Sequence, residues 1–516
     1  MREVVTIASN ATTAKLHEAT REVKLLVQQV LSYQVEGCEH DMRFKSGSWD
    51  GRSSFLDFRA GLFPSGFVHL VASRLRQKGY EIRHVRKPLP QPLGPEKPVI
   101  DAFPEDPRYD YQPQVVEALC KHGQIIAQVA TGGGKSRIAR LAFARINRPT
   151  LFLTTRSILM YQMKETFEKD LGVKVSVLGD GQFGHTITDE NGNERQAIKK
   201  MSVGMVQTLA SRLQEPNPQD SPEKQEKQKQ IRQQTISLLN KFEFVILEEA
   251  HEASGNSYFE IMNHCKNAYY RLALTATPFM KENEEANMRL MAVSGPVGIK
   301  VTEKMLIDRG ILATPHFKYV QLKLKPEHLR ASTPWQAAYR VGIVENEERN
   351  RAIVFEAERA AKLGMSVMIL IQHKKHGEKL LEILAERGIK SDFIMGEDDQ
   401  AERKKAIRKL ANNEISVLIG STILDVGVDV PAVGMVILAG GGKAEVALRQ
   451  RIGRGLRAKK TGPNVALIVD FNDCHNNYLK RHYLQRRDIV KGTEGFVENI
   501  LKDGEDFDFV ALGLKK

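Results

Sequence analysis

The sequence predicts an α/β protein in which two tandem parallel-sheet domains of similar size follow a small α+β module. Three observations carry this prediction. The 516-residue chain is longer than one hydrophobic core usually serves, so two or three domains are expected. Residues 96–305 alternate short β-rich runs with helical patterns, the signature of a parallel α/β sheet, and residues 306–473 begin that alternation again. Between residues 1–95 and the first alternation stands Arg86-Lys87-Pro88-Leu89-Pro90-Gln91-Pro92-Leu93-Gly94-Pro95, which sustains neither a helix nor a central strand and reads as a linker.

In the front module, Val4-Val5-Thr6-Ile7 predicts a short strand. Val23, Leu26, Val27, Val30 and Leu31 recur at helical spacing and predict a helix. Met42–Lys45 and Ser54–Phe58 flank a glycine-containing connector and predict a hairpin. A second helix carries Phe67, Leu70, Val71 and Leu75 inward, and Glu81–Val85 closes the module as a strand. In the first parallel-sheet domain the strand candidates are Gln124–Val129, Thr150–Thr154 and Phe244–Leu247; a polar insertion at 214–235 reads as a solvated helix or a disordered loop. In the second they are Val367–Ile371, Ser416–Ile419, Met435–Leu438 and Val465–Val469, with helices around Leu380–Ala385 and Arg403–Leu410. Two α/β units in tandem suggest a cleft between paired domains. The tail at 474–516 mixes basic residues with an acidic patch and receives no fold assignment.

Lys and Arg number 76 against 63 Asp and Glu, a net charge of +13 that suits a polyanionic partner without requiring one. The four cysteines are scattered, with no pairing suggestive of zinc or of a disulfide framework. No apolar run approaches the ~18 residues that span a bilayer, and the N-terminus lacks a signal-peptide core, so a cytoplasmic protein is expected, in the host cytoplasm if phage-encoded.

Four strings carry chemistry. Ala130-Thr131-Gly132-Gly133-Gly134-Lys135-Ser136 follows a predicted strand; glycines let backbone N–H groups approach phosphates, Lys135 reaches the β/γ-phosphates, and the Ser136 hydroxyl ligates Mg²⁺. Val129 stands where the strict pattern has a first glycine, and a plain glycine-rich turn is the alternative reading. Leu247-Glu248-Glu249-Ala250-His251 places Glu248 to hold the metal and Glu249 to orient and deprotonate water, against a reading as a solvated acidic helix start. Thr275-Ala276-Thr277-Pro278 sits at a third strand end. Gln450-Arg451-Ile452-Gly453-Arg454-Gly455-Leu456-Arg457 offers guanidiniums suited to a transferring phosphoryl group, or else a solvated basic face. Their order and their positions at strand ends across both α/β units make coincidence very improbable.

In that order, over roughly residues 105–473, the sequence resembles the superfamily 2 helicases. Tyr111-Gln112 resembles the adenine-contacting element of the XPB, RecG-like and UvsW-type branches. Ala130–Ser136 resembles motif I; Leu153–Arg156 with Gln162, motif Ia; and Gln207-Thr208-Leu209, the strand-contacting element. Glu248–His251 corresponds to motif II, Thr275–Thr277 to motif III and Gln372–Gly377 to the motif IV region. Ser421-Thr422 through Gly427-Val428-Asp429-Val430-Pro431 is similar to motif V, and Gln450–Arg457 to motif VI. The resemblance implies two RecA-like domains using ATP and Mg²⁺. It implies catalytic roles for Glu249, Gln450, Arg454 and Arg457. Nucleotide contacts would come from Tyr111, Gln112, Thr131, Gly132, Gly133, Gly134, Lys135, Ser136, Gly427 and Asp429, and metal ligation from Ser136 and Glu248. Thr155, Arg156, Gln207, Thr208 and Thr422 would contact nucleic acid. Motif II of this family usually begins with Asp, so Glu248 is a departure that shifts the carboxylate outward by a methylene.

Arg43-Phe44 with Gly47–Arg52 and Leu62–Gly66 resembles the front domain of the phage UvsW-type helicases, which remodel forks and four-way junctions. Trp49, beside Arg43, Lys45 and Arg52, either stacks at a junction or plugs the module's small core. The expected partner is DNA, as branched or forked duplex or single strand; no membrane is expected, and a monomer is one reading. RNA unwinding, or service as a translocase subunit of a restriction or defence assembly, are the alternatives.

Overall fold

The computed structural model describes residues 3–100, 105–188, 194–250, 256–279, 283–395, 400–421, 432–442, 448, 452–453, 456–459 and 461–515. The chain forms two compact units, one of residues 1–129 and 134–301, the other of 130–133 and 302–516.

The front module is a four-stranded sheet in the order Leu62–Pro64, Thr13–His17, Val4–Ser9, Glu81–Arg86. Val4–Ser9 pairs antiparallel with Thr13–His17 (Ile7 opposite Leu16) and parallel with Glu81–Arg86. The Arg21–Val30 helix starts where the Thr20 hydroxyl accepts the Val23 N–H, a common N-cap arrangement. It buries Val23 and Val27, while the Val68–Gln77 helix buries Val71 and Leu75; these meet Ile7, Phe63 and Phe67 in one core.

The expected hairpin is not formed. Asp41 accepts the Arg43 N–H at 2.8 Å and pairs with its guanidinium at 2.9 Å, so Met42–Lys45 closes as one helical turn. A local cap thus outweighs the β-propensity of Phe44. The strand that does form, Arg52–Ser54, pairs antiparallel with Ser32–Gln34, which the sequence reading passed over.

This module is fastened to the rest of its unit. Ala292 belongs to its core, and Phe55 packs on Phe259 with ring centroids 5.9 Å apart. Arg52 pairs with Glu284 at 3.1 Å, and the same carboxylate accepts the Gln34 N–H at 2.8 Å. The proline-rich segment beyond it lies as a strap. Leu93 and Gly94 donate backbone N–H groups to Ile146 and Arg145, Arg148 donates to the Gln91 carbonyl, and the Tyr270 hydroxyl donates to the Pro90 carbonyl. Proline removes donors from the segment, so its carbonyls are met by side chains of the neighbouring domain.

The first parallel-sheet domain holds an eight-stranded sheet in the order Gln182–Phe183, Val175–Gly179, Met201–Met205, Thr150–Thr154, Phe244–Glu248, Tyr270–Thr275, Gln124–Val129, Val297–Val301. Pairing is parallel throughout except at the Gln182–Phe183 edge. Central strands such as Thr150–Thr154 are buried on both faces, which explains their unbroken apolar sequence. The polar insertion is a helix, Pro222–Leu239, capped by Ser221, that buries only Thr235, Leu238 and Leu239.

The second unit holds a six-stranded parallel sheet in the order Thr314–Gln321, Val465–Asn472, Met435–Leu438, Val367–Ile371, Val417–Ser421, Ser391–Ile394. The Lys374–Glu386 and Gln400–Ala411 helices lie in this unit. The tail is part of the unit as well. Its Asn477–Lys491 helix sends Arg486 into the core beside Asp470, and Asp506 accepts from Lys318 and Arg359 at 2.7 and 2.6 Å. Among the described residues no helix is long and apolar enough to cross a membrane.

Candidate nucleotide and nucleic-acid site

In open parallel sheets, ligand sites form beyond the carboxyl ends of the strands, where loops converge and helix N-termini begin. In the first parallel-sheet domain the candidate residues lie at such strand ends. Gln124–Val129 ends at the glycine-rich string, and the Lys135–Ile146 helix starts directly after it. Gly132 and Gly134 adopt φ of 88° and 81°, a region costly for other residues. A Cβ on Gly134 would also run into the Gln112 amide, so motif I and the Tyr111-Gln112 element are pressed together. Thr131, Lys135 and Ser136 are half-buried, and the Ser136 carbonyl accepts from Arg140 Nε at 3.1 Å.

Gln112 is buried and lines a cavity of about 790 Å³ with Tyr109, Pro113, Val116, Glu117 and Arg137. Tyr111 instead packs into the core, 1% exposed. Tyr109 takes the place beside the cavity, with the Arg137 guanidinium 5.8 Å from its ring centroid. A planar base fits such a pocket, with an aromatic and a guanidinium offering faces and Gln112 offering amide edges. The sequence reading missed Tyr109 and Arg137. Their signals were proximity to Tyr111 and a place in the first turn after the glycine string.

Glu248 is the last residue of the Phe244–Glu248 strand and is 5% exposed. Its Oε2 has no hydrogen-bond partner among the described residues. Burial pushes its carboxyl up to about 7, Glu249 pushes the same way, and Lys135 and Arg140 pull against them. Arg140 is a further residue of the site that the sequence reading did not name. Glu249 sits at φ of +50°, a strained conformation for a side-chain-bearing residue, and its Oε1 stands 4.0 Å from Lys135 Nζ. The two carboxylates and the lysine are thus held together at one strand end.

The fit to a magnesium–nucleotide pair can be tested on these groups. Among the described residues no three His, Cys, Asp or Glu side chains are grouped to form a metal cage. Mg²⁺ bound with a nucleotide does not need one, because it keeps waters and phosphate oxygens as ligands. A buried carboxylate oxygen lacking a partner at a strand end, with a hydroxyl-bearing residue in the first turn of the helix after the glycine string, suits that cation. These groups therefore fit a magnesium–nucleotide pair, with Ser136 and Glu248 as the candidate metal ligands.

At the adjacent strand end, Thr275 is buried and its hydroxyl accepts the Thr277 N–H at 3.2 Å. On the other side, Thr150–Thr154 and Met201–Met205 are paired in parallel with Thr154 opposite Met205, so the residues after each strand emerge together. Gln207 donates to the Thr155 carbonyl at 3.1 Å, and the Arg156 N–H donates to the Thr154 hydroxyl at 3.2 Å. Thr155, Arg156 and Thr208 are half-buried and Gln207 is exposed. These four residues form one polar ledge.

In the front module, Trp49 is half-buried. Its indole N–H donates to the Arg52 carbonyl at 2.8 Å, and the Arg43 guanidinium lies 5.0 Å from its ring centroid. Arg52 turns its own guanidinium to Ser32 and Glu284. In the second unit, Ser421 ends its strand and is buried, and Arg457 is exposed and bridged through its backbone to Leu312. His251, Thr422, Gly427, Val428, Asp429, Val430, Pro431, Gln450, Arg451, Arg454 and Gly455 lie outside the described residues.

Three families match consecutive parts of the chain. A UvsW N-terminal helicase domain matches residues 10–84, the Type III restriction enzyme res-subunit family residues 106–280, and a helicase conserved C-terminal domain residues 339–459. The chain is 22% identical to the ATP-dependent DNA helicase uvsW of Enterobacteria phage T4, covering 89% of this chain and 92% of that one. It is 24% identical to a helicase-named protein of Sulfolobus islandicus filamentous virus, covering 73% of this chain but only 65% of that relative's length. Among solved structures, the helicase MrfA bound to DNA is similar in fold at a TM-score of 0.51 and 15% identity, over 77% of this chain and 56% of that one. The matched families, in this order along the chain, place it among the superfamily 2 helicases, with a UvsW-type N-terminal domain.

Proposed function

We propose that this chain uses ATP to remodel branched DNA, regressing forks and migrating four-way junctions. The observation that carries the reading is the UvsW-type front module sharing a core with the domain that bears Lys135, Glu248 and Glu249. DNA handled by such a module stays in fixed relation to the polar ledge of Thr155, Arg156, Gln207 and Thr208. In this mechanism Gln112 reads the base, Gly132, Gly133 and Gly134 present backbone donors, and Lys135 neutralises phosphate charge. Ser136 and Glu248 would hold Mg²⁺, which would neutralise charge at the phosphates. Glu249 orients the attacking water and accepts its proton. Gln450, Arg454 and Arg457 stabilise charge on the transferring group, Gly427 and Asp429 contact the nucleotide, and Thr422 joins the grip on the strand.

A translocase subunit of a restriction-type assembly is the second reading, favoured by the res-subunit match over residues 106–280. Comparing ATPase stimulation by forked DNA, four-way junctions, linear duplex, single strands and RNA separates the two. Strongest stimulation by forks and junctions is expected here. Equal stimulation by linear duplex favours the translocase, and strongest stimulation by RNA overturns both.

A further inference from the structure

Four consecutive carbonyls in the second unit are each held by a side chain from a different segment. Arg349 Nη1 donates to Ala439 at 2.6 Å, the Tyr339 hydroxyl to Gly440 at 2.6 Å, Gln372 Nε2 to Gly441 at 3.5 Å, and Arg486 Nη1 to Gly442 at 3.0 Å. The Gly440 N–H donates in turn to the Leu370 carbonyl at 2.7 Å. Two of the clamps are themselves locked. Arg349 Nε meets Asp473 at 2.9 Å, and Arg486 meets Asp470 at 2.9 Å and Asp473 at 3.5 Å, all buried.

The glycine run answers to this crowding. Gly441 and Gly442 have φ of 63° and 90°, and a Cβ on Gly442 would lie 2.6 Å from Gln372 Nε2. Loop carbonyls are ordinarily satisfied by water at no structural cost. Burying two guanidinium–carboxylate pairs around one short loop is expensive, and its return is a fixed backbone path. The loop leaves the Met435–Leu438 strand, and Gln450–Arg457 begins eight positions after Gly442 in the sequence.

We propose that Tyr339, Arg349, Gln372 and Arg486 are positioning residues for ATP hydrolysis: they fix the Ala439–Gly442 backbone, from which the chain continues to motif VI. The inference rests on the proposed role of Gln450, Arg454 and Arg457 at ATP. It also gives the tail a part in the motor, because Arg486 comes from the tail helix. None of the four touches the nucleotide in this account, so they act on the rate of the bound complex. A misplacement of about 1 Å distant from the chemistry can cost up to ~100-fold.

The test is Tyr339→Phe, which removes one hydroxyl and keeps the ring. DNA-stimulated ATP turnover, the KM for ATP, DNA affinity and the melting curve are measured on the full chain. The expected result is a kcat lowered about 5- to 20-fold, with KM and DNA affinity within about twofold. A parental kcat overturns the inference, as does a loss that vanishes when rates are expressed per folded molecule. Should Tyr339→Phe melt early, Arg486→Lys takes its place under the same criteria, since it keeps a cation beside Asp470 and loses the reach to Gly442. Arg454→Ala is run alongside. If it retains full turnover, the proposed role of motif VI fails; if it is inactive while Tyr339→Phe is parental, only the cage fails.

Discussion

Glu248 and Glu249 are neighbours in sequence with opposite circumstances. Glu248 completes a buried strand, and burial holds its carboxyl up near 7. Glu249, one residue on, takes a left-handed backbone conformation that turns its carboxylate toward Lys135. On the proposed reading, Glu248 meets the cation and Glu249 the attacking water. Lys135→Ala is expected to lower ATP turnover by ~100-fold or more while leaving DNA affinity within a few-fold, checked by steady-state ATPase and fluorescence-anisotropy binding. Glu249→Gln should bind ATP and stall, seen as retained nucleotide binding with turnover near background, whereas Glu248→Asp should stay active. Parental hydrolysis by the Gln variant would remove Glu249 from its role. His376 gives a separate residue-scale expectation. It is fully buried, hydrogen-bonded to Asn350 at 2.8 Å, and pushed down to about 3 by burial first, with Arg349, His373 and Lys379 acting in the same direction. The native state therefore holds it neutral while the unfolded chain protonates it below its ordinary 6.5. Its contribution is complete above that pH and is lost as pH falls, about 2 kcal/mol by pH 5. Urea unfolding at pH 7 and pH 5 should show a shallower loss for His376→Gln than for the parent; equal losses would contradict this.

At the scale of elements, the sites lie on short segments just after strands, and this is why they were legible. Thr150–Thr154 and Phe244–Glu248 are buried throughout and Gln124–Val129 in all but its two glutamines, so the strings that follow them had to sit at one edge of a sheet. Where the local signal was short, tertiary and capping effects decided. Met42–Lys45 carries residues at home in a strand, but Asp41 caps it into a helical turn. Trp49 was open between stacking on DNA and filling a core. Its indole is tied to the Arg52 carbonyl and covered by Arg43, so it pins the turn between that helix and the Arg52–Ser54 strand. Trp49→Ala is thus expected to cost about 1–2 kcal/mol of stability, read as a lower melting temperature. A melting temperature equal to the parent's would show that the pin is idle. The cage around Ala439–Gly442 was invisible in sequence because its four donors come from segments up to 147 positions apart, between Tyr339 and Arg486. Only the three adjacent glycines hinted at a crowded backbone.

For the whole molecule, the divisions legible in composition are not the mechanical ones. The proline-rich segment reads as a linker, yet it is strapped along the first helicase-type domain, and the module before it shares a core with Ala292. The tail reads as unassigned, yet its helix supplies a buried arginine to the second unit. Deleting residues 1–95 would therefore expose apolar surface on the motor as well as remove the module, so point variants are the cleaner instruments. The net charge of +13 adds general attraction to any nucleic acid and cannot by itself select branched forms. On the proposed reading, selection would come from the front module acting with the two parallel-sheet domains. The most direct measurement is ATP-dependent conversion of a synthetic four-way junction to linear products by the full chain, with linear duplex unwinding assayed in parallel and Lys135→Ala as the control. The expected result is junction migration that requires ATP, exceeds duplex unwinding by at least about tenfold, and is absent in the control. Junctions left intact in the presence of ATP, while linear duplex stimulates hydrolysis just as strongly, would contradict the account.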